Sequence, residues 1–326
     1  MQEEINHGVL IAEPKPEDYI AGENSPLIEN PINESADNRP YKPGNEKQSG
    51  LGGDKMTCVT ASSGGCIETT IKMQIVLGLL KPGQKDFLDR WKFIDEEGNI
   101  RISTRWAAIQ NGTTENGNYA AVVAQWWRDN GFIPEWMLPN DQTLSREQYF
   151  NKDCLTDEMK KCADESKEFF RINYEWVTGD DSNLKKALTR GSVQILTSVC
   201  SGWNNGEQVP VPGCGLPVQH ATELLFVDEA GIKHIFDTYD PFNKKLALDY
   251  NIPYRMLYLI NQTKNMTFKK ETGKPNVYLV DEIKKTKILI IDMPTLEVLK
   301  GNFSEVPNLN DYAGNGTLIW TERLIN

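Results

Sequence analysis

Three histidines serve a chain of 326 residues, and no basic cluster, long apolar run or paired-cysteine metal motif accompanies them. With no Cys-x-x-Cys and no His-Glu-x-x-His, there is no zinc site to read, and neither metal nor cofactor is expected. Lys and Arg number 35 against 46 Asp and Glu, a net charge of −11, and no stripe of basic residues is present to track phosphates, which excludes a nucleic-acid partner. No window approaches the roughly 18 consecutive apolar residues of a membrane span. The start, Met1-Gln2-Glu3-Glu4-Ile5-Asn6-His7, lacks the basic residues and apolar stretch of a secretory signal, so export by a signal peptide is not expected. Six cysteines in so long a chain make no disulfide scaffold. Cys154 with Cys162, and Cys200 with Cys214, are near enough to bridge in an oxidising space, but without a signal peptide free thiols are the expectation.

What is present is enough for a sizeable core: 39% hydrophobic residues and eight tryptophans. Residues 1–47 are polar and carry Pro14, Pro16, Pro26, Pro31, Pro40 and Pro43. Such a segment cannot bury enough to fold alone and reads as an extended arm lying on its own domain or on a neighbour. Its shortness and lack of helical period favour a packing arm over an inhibitory propeptide. Residues 263–326 read as a small accessory α+β module, with strands near Asn276–Val280, Lys287–Ile291 and Thr317–Trp320 and a short amphipathic run at Thr295–Leu299. Residues 48–262 form the main domain.

Within it, apolar positions from Val59 to Leu80 recur near helical spacing and predict a central helix ended by Lys81-Pro82-Gly83. Trp91–Asp95 and Asn99–Ser103 flank Glu96-Glu97-Gly98 as a hairpin. Tyr119–Asn130 is a helix stopped by Gly131. A charged helical region covers 144–170, a short helix 183–188 and a buried strand 192–199. Two further strands, Ala221–Val227 and Ile232–Tyr239, meet at Asp228–Gly231.

The chemistry starts at Cys58, where the glycine loop Gly52-Gly53 runs into the central helix. A thiol at a helix N-terminus faces unpaired N–H groups and the positive end of the dipole, which favour the thiolate. A thiolate there can attack a carbonyl while the Cys58 N–H faces the oxyanion formed. Only His7, His220 and His234 could supply an imidazole base. His7 sits in the arm and His234 within a strand, whereas His220 opens a strand after a Gly/Pro loop. A hairpin turning at Glu229-Ala230 pairs position 222 with 237, making His220 and Asp237 diagonal neighbours. A three-residue turn over 229–231 would instead put Asp240 opposite His220, and register alone leaves both aspartates open.

A Cys at the start of a long helix, then a His opening a strand hairpin whose second strand bears an acid, resembles the papain-like cysteine peptidases. Gly131-Phe-Ile-Pro-Glu-Trp-Met-Leu-Pro139 is similar to that family's Gly-Ile-x-x-Glu-x-x-Tyr-Pro segment. Asn116-Gly117 is placed like its glycine pair that offers backbone hydrogen bonds to substrate. Asp237-Thr238-Tyr239 stands where the family has Asn-Ser-Trp. More narrowly, Asp54-Lys-Met-Thr-Cys58-Val-Thr-x-Ser followed by Cys66-Ile-Glu68 looks like a group encoded by bacteriophages. The resemblance covers roughly residues 48–260. It implies a papain-like α+β fold, with a central Cys-bearing helix packed against an antiparallel sheet or barrel. It also implies a peptidase with Cys58 as nucleophile, His220 as base, Asp237 as orienting group and Tyr239 as a shield. The family's oxyanion glutamine stands six residues before the cysteine; here that position is Gly52, and the nearest candidate is Gln48. The implied substrates are polypeptides or the peptides of cell wall. The implied location is a host cytoplasm or a virion, with virion partners docking through the arm and the C-terminal module. The alternative is a virion or assembly protein that keeps a papain-like body for binding.

Overall fold

Sixteen of the 19 residues of helix α1, Cys58–Val76, are buried, so this helix is covered on nearly every side and cannot be a surface element. The molecule around it is a computed structural model. It describes residues 8–12, 14, 31–200, 202–206, 208–209, 217–250 and 252–260, and the backbone of strands 266–271, 277–281, 286–290, 304–306 and 313–318. The chain divides into two compact units, Met1–Asn261 and Gln262–Asn326. Among the described residues no helix is long and apolar enough to cross a membrane.

In the first unit the short strands β1 (Val9–Leu10), β2 (Ser49–Gly50), β3 (Gly53–Asp54) and β4 (Asn118–Tyr119) lie outside the main sheet. That sheet has seven strands: β5 (Ile172–Trp176), β6 (Val193–Thr197), β7 (Gln208–Val209), β8 (His220–Val227), β9 (Lys233–Phe236), β10 (Asn243–Leu246) and β11 (Tyr254–Ile260). Their spatial order is β5-β11-β6-β8-β9-β10-β7, antiparallel throughout except where β7 joins β10. Alternate side chains of β11 feed two cores, as the period of a strand requires. Met256, Tyr258 and Ile260 join the core around α1, whereas Leu257 and Leu259 face the one with Leu184 and Leu188 of α7 (Asp181–Leu188). Helices α2 (Gln84–Arg90), α3 (Thr104–Gln110), α4 (Ala120–Asn130), α5 (Arg146–Tyr149) and α6 (Asp157–Phe169) complete the unit.

One sequence expectation is corrected. Helix α1 stops at Val76, before the Lys-Pro-Gly run: Gly78 takes φ +68°, its N–H donates to Ile75 O and the Leu79 N–H donates to Gln74 O. That pairing is a glycine C-cap, which satisfies the last carbonyls of the helix without proline. The expected hairpin at 91–103 is kept but short: Asp95 N donates to Asn99 O and Arg101 N to Phe93 O around the bridge Ile94–Ile100, and α2 and α3 take up the chain on either side.

Close approach to α1 depends on its glycines. A Cβ on Gly64 would stand 2.8 Å from Thr104 Cγ2, and one on Gly65 2.8 Å from Glu223 Oε2. The arm rests on its own domain. Ile32 N and Asn33 N donate to Thr189 O, and Asn38 Nδ2 donates to Leu188 O.

Among its described residues the second unit shows five strands: β12 (Met266–Glu271), β13 (Val277–Asp281), β14 (Thr286–Ile290), β15 (Ser304–Val306) and β16 (Ala313–Leu318). They are ordered β15-β12-β13-β14-β16, with antiparallel inner pairs and parallel outer ones. The amphipathic run expected at Thr295–Leu299 lies outside the described residues.

Candidate active site

Cys58 opens α1 and is fully buried; Thr57, at the N-cap, uses no side-chain oxygen to cap the helix. Just before it, β2 and β3 form a hairpin that leaves and re-enters the chain at one point, because the Lys55 N–H donates to Gln48 O at 2.9 Å. Lys55 is buried, and its ammonium donates to Gly52 O at 2.6 Å and to Leu144 O at 2.7 Å, tying down the base of the hairpin. Gly52 has no room for a side chain, since a Cβ there would fall 1.7 Å from Leu144 O. A glutamine six residues before Cys58 is therefore excluded by packing. Gln48 is buried instead against the far wall, where its Nε2 donates to Tyr239 Oη at 2.7 Å and to Asp54 Oδ1 at 3.1 Å. Its Oε1 accepts from Thr238 Oγ1 at 2.7 Å.

The choice between the two aspartates is made by a bulge. At its tip the β8–β9 hairpin has the three-residue turn, with Asp228 N–H donating to Ile232 O and Phe226 opposite His234. A register shift between Leu224 and Phe226 then moves the pairing by one, to Glu223 opposite Phe236. Continued to the strand ends, this puts position 222 against 237, and His220 Nε2 meets Asp237 Oδ1 at 2.6 Å. Asp240 is exposed and pairs with Lys47.

Asp237 is a hub. Its Oδ1 also accepts from Thr238 N at 2.7 Å, and its Oδ2 accepts from Trp203 Nε1 and from Lys244 Nζ, each at 2.7 Å. Trp203 lies edge-on to the His220 ring at 5.6 Å, and Tyr239 tilts against the same ring at 5.2 Å. Cys58, at the start of α1, acts on the same imidazole. Burial pulls the His220 imidazolium down, but the charge and hydrogen bond of Asp237, helped by Cys58, outweigh it and push the group up to about 10. Burial pushes the Asp237 carboxyl up; His220 and Lys244 more than reverse this and hold it at about 2. Trp203 and Lys244 were not singled out in the sequence. A tryptophan inside a Gly/Pro loop is a signal that could have found the first, since so large a ring is seldom left in water; nothing local marks the second.

Asn116 is exposed on the turn after α3, where Thr114 N and Gly117 N donate to each other's carbonyl groups at 3.0 Å. Gly117, at φ +86°, is covered by the N-terminal arm: β1 pairs in parallel with β4, and a Cβ on Gly117 would stand 1.8 Å from Gly8 O. Gly8 in turn touches Met56, two residues before Cys58, with 2.7 Å from its own added Cβ to Met56 O. Val9 is buried in the same core cluster as Cys58. Cys58, Cys66, Cys154 and Cys162 are free, whereas Cys200 is disulfide-bonded, a correction to the free-thiol expectation there.

These buried groups set a pH dependence. The gain from His220 is fully present below about pH 6.5 and is lost as pH rises through about 10; that from Asp237 is present above about 3.8 and lost toward about 2. Two buried carboxyls add to the alkaline loss. Burial raises Glu223 to about 7 and lifts Glu68 well above its ordinary range, contributions present below about 4.5 and lost as pH rises through those values. Scanning calorimetry is therefore expected to give a higher melting temperature near pH 5 than near pH 8.5. An equal or higher value at the alkaline end would contradict the assignment.

The fold is that of the papain-like cysteine proteases. Xylellain, a cysteine protease from Xylella fastidiosa, superposes with a TM-score of 0.54 over 78% of this chain and 96% of its own, at 16% identity. The digestive procathepsin L 3 of Tenebrio molitor larval midgut gives 0.48 over 74% of this chain and 73% of its own, at 12% identity. The proform of the ragweed pollen allergen Amb a 11, also a cysteine protease, gives 0.47 over 74% of this chain and 69% of its own, at 14% identity. No family model and no curated protein matches the chain.

Proposed function

We propose that this chain is a thiol peptidase whose nucleophile is Cys58, with His220 as base and then acid and Asp237 as the acceptor that orients the imidazole. The observation that carries the reading is the buried His220–Asp237 hydrogen bond of 2.6 Å, with Cys58 against the same ring at the start of α1. Asp237 holds Nε2, which turns Nδ1 toward the thiol. The Cys58 proton passes to Nδ1 and the thiolate attacks the carbonyl carbon of a peptide bond. The tetrahedral oxyanion is met by the Cys58 N–H; Gln48, both of whose amide hydrogens are held by Tyr239 and Asp54, joins it only by giving up one of those bonds. The C–N bond breaks as the imidazolium gives its proton to the leaving amine. Water, deprotonated by the same imidazole, then splits the thioester. Trp203 and Tyr239 shield the His220–Asp237 bond from water.

In this state the enzyme is latent. The arm's Gly8–Leu10 segment lies on Gly117-Asn118, the edge that the resemblance assigns to substrate backbone, and Cys58 is fully buried. The packing arm thus also acts as an occluding segment. Unstructured polypeptide is the substrate class we carry forward; cell-wall peptides and a bacteriophage or virion role rest on the sequence resemblance alone.

The test is cleavage of a denatured protein such as casein by arm-released chain, paired with the Cys58→Ala variant. Cleavage that disappears in the variant is expected. Cleavage that survives it, or none from chain with an accessible Cys58, would sink the peptidase reading.

A further inference from the structure

Lys244 carries a buried charge beside the site that the scheme above leaves unused. It lies on β10, where position 244 pairs with Ile235, and its side chain is fully buried. Its ammonium donates three hydrogen bonds: to Asp237 Oδ2 at 2.7 Å, Tyr239 O at 2.6 Å and Pro241 O at 2.6 Å. A lysine seldom goes so deep without a paired charge, and here the pair is the same carboxylate that grips His220. The charged and titratable groups around the imidazole are then Cys58 from α1, Asp237 and Tyr239 from the end of β9, Lys244 from β10, and Asp54 behind Tyr239.

We propose that Lys244 is a positioning residue that cancels the charge of Asp237, so that the carboxylate orients His220 as a neutral acceptor would. This rests on the peptidase reading. An uncompensated buried carboxylate beside the ring would over-stabilise the imidazolium and hold back the proton that the leaving amine needs. With Lys244 in place, the Asp237 carboxylate and the ammonium cancel within one buried pair.

The alternative is that Lys244 only pins the turn at 239–241 through its two carbonyl contacts. Charge and pinning separate in three variants of the full-length chain: Asp237→Asn, Lys244→Met and the double substitution. The double variant loses both charges together, which spares it an unpaired buried ion. The readout is the His220 midpoint by NMR titration with labelled histidine, where only three imidazole signals need assignment. Asp237→Asn leaves a bare ammonium and should lower the midpoint by about 1–3 pH units, the usual effect of losing an opposite neighbouring charge. Lys244→Met should raise it, and the double variant should fall between the two singles. In arm-released chain, Lys244→Met should lower kcat about ten- to a hundredfold with KM unchanged, and the double variant should recover most of that loss. Shifts of the same sign in both single variants, or a double variant no better than Lys244→Met, would overturn the proposal. The two readings fail apart: the predicted order of midpoints with an inert Cys58 supports the charge role of Lys244 and removes the peptidase.

Discussion

Deleting residues 1–14 turns Cys58 from a thiol that iodoacetamide scarcely reaches into the fastest-labelled cysteine of the chain. The expectation follows from how little holds the segment down. Strand β1 is two residues long, and its described contribution is the Asn118 N–H to Gly8 O bond at 3.2 Å together with burial of Val9. A net hydrogen bond is worth about 1 kcal/mol and a buried valine about 1.5–3 kcal/mol. Ordering the segment takes back about 1 kcal/mol or more of the roughly 2.5–4 kcal/mol gained, so about 3 kcal/mol is an upper measure of this hold. At 1.4 kcal/mol per factor of ten, that is on the order of a hundredfold occlusion of the thiol, and the deletion should raise the labelling rate by about that factor. Gly8→Val should act in the same direction within the intact chain, since Gly8 sits at φ +103° with Met56 O only 2.7 Å from an added Cβ. The half-exposed Cys154 serves as the internal reference. A Cys58 rate that does not change relative to Cys154, in a deletion variant with native circular dichroism, would show that something other than the arm covers the site.

His220→Ala should abolish peptide hydrolysis while leaving the protein folded. Removing one member of a nucleophile–base pair costs about as much as removing the whole set, on the order of 10⁶ in kcat for a comparable hydrolase. The structural loss is small by comparison. Asp237 keeps three donors after the substitution, from Thr238 N, Trp203 Nε1 and Lys244 Nζ, so the carboxylate stays hydrogen-bonded and ion-paired. The same variant should also bring iodoacetamide labelling of Cys58 in arm-released chain down to the rate of Cys154. Retention of even about a tenth of the hydrolysis would exclude His220 from the chemistry. Unfolding instead of inactivation, seen as a lost calorimetric transition, would make the residue structural.

The extent to which this site can be read from residues alone divides along physical lines. The central helix, the strand pair at 220–236 and the placement of Cys58 and His220 at element starts follow from apolar period and turn chemistry, which are local signals. The pairing of His220 with Asp237 is legible only as one of two registers. The deciding feature is the bulge between Leu224 and Phe226, which leaves no trace in composition. Trp203 and Lys244 reach Asp237 from a loop and from β10, separated from it in the chain, and only the fold brings them there. The arm's resting place is illegible for a similar reason. Its proline-rich composition describes how it travels, but what it covers depends on Gly8, Met56 and Gly117 having no room to spare. The disulfide at Cys200 goes against the free-thiol expectation, which takes the compartment from the first residues and not from the cysteine's surroundings.

The hairpin of β2 and β3 has one more consequence. Because Gln48 and Lys55 are backbone partners, the six residues between them form a closed detour whose ends coincide, and the chain on both sides is placed as though the detour were absent. Distance along the sequence between Gln48 and Cys58 is thus a poor ruler for distance in space. Residues added at the tip of such a detour leave the placement of its two ends unchanged, whereas Gly52, packed on Leu144 O, and Asp54, bound to Gln48 and Tyr239, stay fixed in kind. The tip, where Leu51 stands 95% exposed, is also a natural point for accepting an inserted loop.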